Sequence, residues 1–191
     1  MAVDLDLAQL HRLSVDEYHR ILEASGFDED ARVELLGGLL AAMSPKTRAH
    51  ENAVTWLARW LMQAVDLDVF EVRVASPLTL EDSEPEPDLA VIALSAPRPY
   101  HPATASLIIE VSASSLRRDL GAKAELYARA GVPEYWVVDL DHRQLVVKRD
   151  LRSATGNYAQ SLELDASARV TAGAVTLPEL AVADVLAAAY A

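Results

Sequence analysis

Two short apolar runs, LAVIAL (89–94) and SLIIEV (106–111), lack the in-out alternation of a strand with one wet face. Strands that read as continuous apolar stretches are buried on both faces, so both are expected to be central strands of a sheet. A third run of this kind, EYWVVD, follows a helical segment that begins near Ser114 or Ser115 and runs through Tyr127. Gly131 and Pro133 stop that helix at C-terminal punctuation positions. Strand, helix, strand in this order resembles a crossover unit.

Around this centre the punctuation is clear. Ser14-Val-Asp-Glu17 is a capping-box pattern, and Leu13, Tyr18, Ile21 and Leu22 recur at helical spacing until Gly26, predicting a first helix. RVELLGGLLAAMS reads as two short strands joined at Gly37-Gly38, a dipeptide that takes the positive φ angles of a tight hairpin. From Lys46 to Val65, the apolar residues Val54, Leu57, Leu61 and Val65 repeat at three and four, which predicts an amphipathic second helix with His50 on its stripe. Trp56 and Trp60 are helix-spaced and are expected to pack or to bury a dimer surface. Residues 69–75 and 78–80 look extended, and the prolines of EDSEPEP exclude a regular central strand there. QLVVKRD, YAQSLEL and ARVTAGAVTL read as a β-meander closed by a short helix around Ala183 to Ala188.

With 191 residues, half of them hydrophobic and a quarter charged, the chain suits one domain over residues 1–191. The absence of cysteine excludes disulfides, thiolate zinc sites and a cysteine nucleophile, so a metal would need oxygen or imidazole ligands. That favours Mg or Mn. MAVDLDLAQL is acidic where a leader would be basic, and no apolar run approaches the roughly 18 residues of a membrane span. A cytoplasmic protein without membrane contact is the expectation. The net charge of -12 argues against a broad nucleic-acid surface, so any such contact must be local. Arg117, Arg118, Lys123 and Arg129 form one basic island on the third helix, which a solvated face would explain equally well.

Asp88 opens one central strand and Glu110 lies near the end of another. Two carboxylates on buried strands point to a shared cation, whereas strand ends that fray into water would leave both merely exposed. Lys123 falls in the line Leu116, Leu120, Lys123, Tyr127, which starts its stem from the face that packs on the sheet. There an ammonium can polarise water or meet charge on a phosphoryl oxygen; the alternative is a surface pair with Asp119, worth a few tenths of a kcal/mol. Gly121 either permits close packing or is simply tolerated. His50 is either a further site residue or a core histidine bonded to backbone. His50-Glu51 begins like HExxH, but Val54 occupies the second histidine position. No G-x-S-x-G or phosphate-loop pattern occurs.

The succession VELLGG, EPDLAVI and IIEVSASSLRRDLGAKAELYARAGVPEYWVVD resembles the Uma-type endonuclease-like family, a branch of the PD-(D/E)xK nuclease superfamily. The resemblance spans roughly Leu13 to Leu186, and the last stretch is its most specific part. It implies an α/β (α+β) restriction-endonuclease-like fold, a mixed central sheet flanked by helices. It also implies Pro87-Asp88 as the PD element and metal ligation by Asp88, Glu110 and the Val111 carbonyl. The superfamily's lysine usually lies two residues after the second acid; here that position is Ser112, and the Uma-type pattern takes its lysine from the next helix, at Lys123. Glu34 matches an acid that adds a ligand or orients water, and Asp119 an acid one turn before the lysine.

The activity this implies is Mg- or Mn-dependent hydrolysis of DNA. Two other readings stand beside it: a nuclease-fold binding or assembly module, expected to self-associate as a homodimer, and a hydrolase of small phosphoesters.

Overall fold

A computed structural model describes residues 10–24, 32–152 and 155–191. Helix α1 (Val15–Glu23) starts from a complete capping box: the Ser14 hydroxyl accepts from the Glu17 amide at 3.2 Å, and the Glu17 carboxylate accepts from the Ser14 amide at 2.9 Å. Two otherwise orphaned donors are thereby satisfied. The expected stop at Gly26 lies outside the described residues. Helix α1 buries Val15 and Tyr18 beside Leu35 of the next element.

Strands β1 (Val33–Leu36) and β2 (Leu39–Ala42) pair antiparallel, with Gly37 and Gly38 at φ +55° and +76° as the two-residue turn. These angles suit a primed turn whose twist matches the strands. The turn is clamped on two sides. The Gly38 amide donates to the Asp82 carbonyl at 2.8 Å, and the Gly38 carbonyl accepts from the Leu13 amide at 2.9 Å.

Helix α2 (Arg48–Ala64) is capped by Thr47, whose hydroxyl accepts from the His50 amide at 3.2 Å. Its buried positions are Ala53, Leu57 and Leu61, continued by the buried Val65 at the C-cap, so Leu57, Leu61 and Val65 of the expected stripe face the core and Val54 is partly buried beside them. Trp60 stacks on Trp136 at 6.5 Å between ring centroids, packing into the core of this chain.

The main sheet comprises β3 (Phe70–Val74), β4 (Leu89–Ala93), β5 (Leu107–Ser112), β6 (Tyr135–Asp139), β7 (Gln144–Arg152) and β8 (Asn157–Leu164), neighbouring one another in that order. Only β5 and β6 run parallel; the other pairs are antiparallel. The helix between β5 and β6 makes the single crossover that a parallel pair requires. Leu89, Val91, Leu107 and Ile109 face a core shared with α2 and α4 (Val182–Ala189), while Ala90, Ile92 and Ile108 face Leu126 and Tyr127 of the crossover helix. Helices on both faces explain why these strands show no polar alternation.

Two expected elements differ. Residues 78–80 form no strand: the Leu78 and Leu80 amides donate to the Pro85 and Ser83 carbonyls at 3.0 and 2.9 Å, a turn in which Glu84 makes one isolated bridge to Leu35. Within ARVTAGAVTL, β9 (Arg169–Val170) pairs with β10 (Leu180–Ala181) outside the main sheet, so the meander there consists of β6, β7 and β8. The buried Glu134 carboxylate draws the intervening loop inward, accepting from the Gly173 and Ala174 amides at 2.6 and 3.0 Å and from the Trp136 indole at 2.8 Å. Among the described residues no helix is long and apolar enough to cross a membrane.

A Cβ at Gly38 would stand 2.6 Å from Arg12 Cβ, at a φ that side chains rarely adopt. Gly38→Ala is therefore expected to destabilise the protein by about 1–3 kcal/mol, read as a lower urea midpoint; an unchanged midpoint would show that the turn relaxes freely.

Candidate active site

The helix after β5 is continuous but not uniform. It is α-helical over Leu116–Arg118, widens to a π-turn over Asp119–Lys123 and is α-helical again over Ala124–Arg129; α3 denotes the whole. Such turns are rare and occur frequently at functional sites. Both ends of this one are buried, Asp119 at 2% and Lys123 at 4% exposure. The surface pair between them does not form. Asp119 instead accepts from the Ser112 hydroxyl at 2.5 Å, and Lys123 reaches Glu110 at 2.9 Å and Glu34 at 3.1 Å. A Cβ on Gly121 would meet open space, so close packing does not require the glycine.

Asp88 and Glu110 are buried, at 8% and 4% exposure, which excludes strand ends fraying into water. Asp88 Oδ2 accepts from the Val111 amide at 2.8 Å and faces His50 Nε2 at 3.0 Å, while the Asp88 amide donates to Glu110 Oε2 at 3.2 Å. Glu110 Oε1 accepts from both Lys123 Nζ and the Tyr127 hydroxyl, the latter at 3.1 Å. Glu34 projects from β1 to meet the same ammonium and accepts from the Glu86 amide at 3.3 Å. Its other oxygen, Oε1, is buried without a hydrogen-bond partner, with Arg118 Nε 3.8 Å away.

Glu34, Asp88, Glu110 and Lys123 thus form one continuous network, and Asp119 and Val111 border the same cleft. His50 points its ring at Asp88, not at backbone, and its Nδ1 is buried without a partner. The basic island divides: Lys123 is buried in the network and Arg118 lines the cleft, while Arg117 and Arg129 are exposed elsewhere along α3.

Three contributors were not identified as site residues from sequence. Tyr127 could have been, since it follows Lys123 by four on the inward stripe. Arg32 and Lys46 line the cleft from segments flanking β1 and α2, where no periodicity marks them.

The cleft holds about 50 Å³, room for an ion and water at its floor. Its donors are carboxylate oxygens, with one acceptor still free, which is hard-cation chemistry. Burial pushes the Glu110 carboxyl up to about 8; Lys123 pulls the other way, and Asp88 and Asp119 add to the rise. Burial likewise opposes the charged form of Asp88, but the His50 ring, the Val111 amide and Lys123 outweigh it and hold this carboxyl below its usual range. Desolvation would lower the Lys123 ammonium; Glu110, Glu34 and Asp119 together raise it instead.

The pattern of the Uma2 family, described as "Putative restriction endonuclease", matches residues 15–183. Among solved structures, a "putative nuclease belonging to DUF820" from Anabaena variabilis ATCC 29413 superposes with a TM-score of 0.72 over 93% of this chain and 99% of that one, at 14% identity. The likeness shows that the two chains share a fold. No curated protein matches the chain.

Because the Glu110 carboxyl ionises near 8 in the folded state and at 4.5 ordinarily, the unfolded chain loses this proton first as pH rises. The folded state then binds more protons between those values, and stability falls across that window. Asp88, held below 3.8, titrates outside it. The urea midpoint of the metal-free protein should fall from pH 4.5 to about 8 and Glu110→Gln should flatten the fall; a level wild-type profile would contradict the assignment.

Proposed function

The chain belongs to the Uma2 family, and from that membership we propose a divalent-metal-dependent endonuclease that hydrolyses DNA phosphodiester bonds in the Glu34–Asp88–Glu110–Lys123 cleft. The observation that carries this reading is the meeting of two strand carboxylates with one buried ammonium in an open cleft. Asp88 and Glu110 would hold Mg or Mn, with the Val111 carbonyl as a further ligand. Few protein carboxylates plus substrate oxygens is how such ions are commonly bound. When bound, the ion supplies a Lewis acid for the phosphoryl oxygen and lowers the pKa of a water.

The remaining steps belong to the chain's own residues. Lys123, itself buried at the base of the cleft, offers fixed positive charge to the phosphoryl oxygens as charge develops there. Glu34 Oε1, which has no hydrogen-bond partner and lies 3.8 Å from Arg118 Nε, can accept a hydrogen bond from the attacking water and orient it. Asp119 holds α3 to β5 through Ser112, which positions the π-turn and with it Lys123. His50 fixes the rotamer of Asp88. Water adds to phosphorus and one ester P–O bond breaks, leaving a phosphomonoester and an alcohol. Arg32, Lys46 and Arg118 give a phosphate backbone local contacts that the overall charge of -12 denies it elsewhere.

The wild-type protein should nick supercoiled plasmid with Mg or Mn, and Asp88→Ala, Glu110→Gln and Lys123→Ala should each lose about 100-fold or more. Equal nicking by all four proteins would overturn the proposal. The acidic surface favours one other reading, a binding or assembly module, under which no Mg or Mn binding dependent on Asp88 would appear in calorimetry.

A further inference from the structure

The acidic loop that delivers Asp88 carries a second cluster four residues earlier. Glu84 is 5% exposed, and both of its carboxylate oxygens lie 2.8 Å from His19 Nε2. His101 Nε2 stands 3.9 Å from Glu84 Oε1. One ligand atom from each of the three residues falls within 4.8 Å of the other two, and no other group of three or more His, Asp or Glu among the described residues does this. None of the three lines the cleft of Glu34, Asp88, Glu110 and Lys123.

We propose that His19, Glu84 and His101 form a binding site for one divalent transition metal of the zinc class. Two imidazoles and a carboxylate are a borderline donor set, suited to zinc or cobalt and unlike the all-oxygen carboxylates of the cleft. A tetrahedral centre with bonds of about 2.0–2.1 Å holds its ligand atoms about 3.3 Å apart, and the separations of 2.8 and 3.9 Å bracket that value.

The ligands are also held from behind. The Thr79 hydroxyl donates to Glu84 Oε2 at 2.9 Å and accepts from the His101 amide at 3.1 Å, so one side chain orients two of the three. The Glu84 amide is fixed to the Leu35 carbonyl at 2.7 Å, and the Tyr100 ring stands edge-on to His19 at 4.3 Å between centroids. Outer contacts of this kind set ligand orientation in metal sites. His101 is the most open member, its side chain 36% exposed, which leaves a path for the ion and for a water as fourth ligand. The ligands come from α1, from the bridge onto β1 and from the loop between β4 and β5. One ion would tie α1 and the loop between β4 and β5 to the segment that runs from Glu84 through Glu86 to Asp88.

Cobalt titration of the metal-free full-length protein tests this. One equivalent should develop the visible bands of a low-coordinate imidazole site, zinc should displace them, and zinc should raise the thermal midpoint. His19→Gln and His101→Gln should each weaken cobalt binding by about 10-fold or more, and His101, on a half-open loop, can change without touching the core. An Asp88→Asn, Glu110→Gln double variant should keep the bands, which separates this site from the proposed nuclease centre. Absent bands in the wild type, bands that survive both histidine changes, or bands lost with Asp88 and Glu110 would each overturn the proposal.

Discussion

The buried ammonium of Lys123 between Glu110 and Glu34 is the interaction on which the rest of this structure depends. Removing an ammonium and two carboxylates from water costs several kcal/mol per ion, and attraction offsets this only where geometry is close and the remaining polar atoms find partners. Here the partners come from three elements: Glu110 from β5, Glu34 from β1 and Lys123 from α3. The hairpin, the central strand and the crossover helix must therefore be in register before the charges can be buried. Breaking one member of such a cluster leaves an uncompensated charge, commonly a loss of about 3–5 kcal/mol. Fold and proposed site are thus coupled through the same three side chains.

Two local irregularities lie beside this cluster. Asp119 and Lys123 stand at the two ends of the π-turn and both face inward, one to Ser112 and one to Glu110. On the opposite side, Pro85 and Pro87 keep EDSEPEP from continuing as a strand, and the loop spends its free amides on neighbours. Glu84 bonds Leu35, Glu86 bonds Glu34 and Asp88 bonds Glu110. Alternate residues of one short segment thereby tie β1 to β5 at the site. By contrast, Glu134 and Asp139 are buried carboxylates saturated by nearby donors, and they serve loop geometry.

Much of this was readable in the sequence because it rests on periodicity. Absence of alternation in LAVIAL and SLIIEV marked double-sided burial, and carboxylates at their ends were conspicuous for that reason. The inward position of Lys123 followed from its place in the line of Leu116, Leu120 and Tyr127. The π-turn was not readable, since it shifts the helix without changing which residues are apolar. ARVTAGAVTL alternates like a strand, yet Glu134, nearly forty residues away, diverts its middle into a loop. The cluster of His19, Glu84 and His101 leaves no spacing signature either, because its members meet only through tertiary contacts.

Charge is where local and global descriptions part. The chain carries -12 overall, but the cleft is lined by five carboxylates (Glu34, Glu86, Asp88, Glu110 and Asp119) against four cationic side chains (Arg32, Lys46, Arg118 and Lys123). Burial raises the Glu110 carboxyl, with Asp88 and Asp119 adding to the rise, while Lys123 opposes it. The cleft is then close to electroneutral before any ion enters, in a molecule whose remaining surface repels phosphate. A divalent cation would make it the positive point of that surface, so affinity for a phosphodiester is conditional on the ion that the proposed chemistry requires. Under the proposed function, an acidic protein of this design would avoid nonspecific nucleic-acid binding while keeping a place where a phosphate could be held.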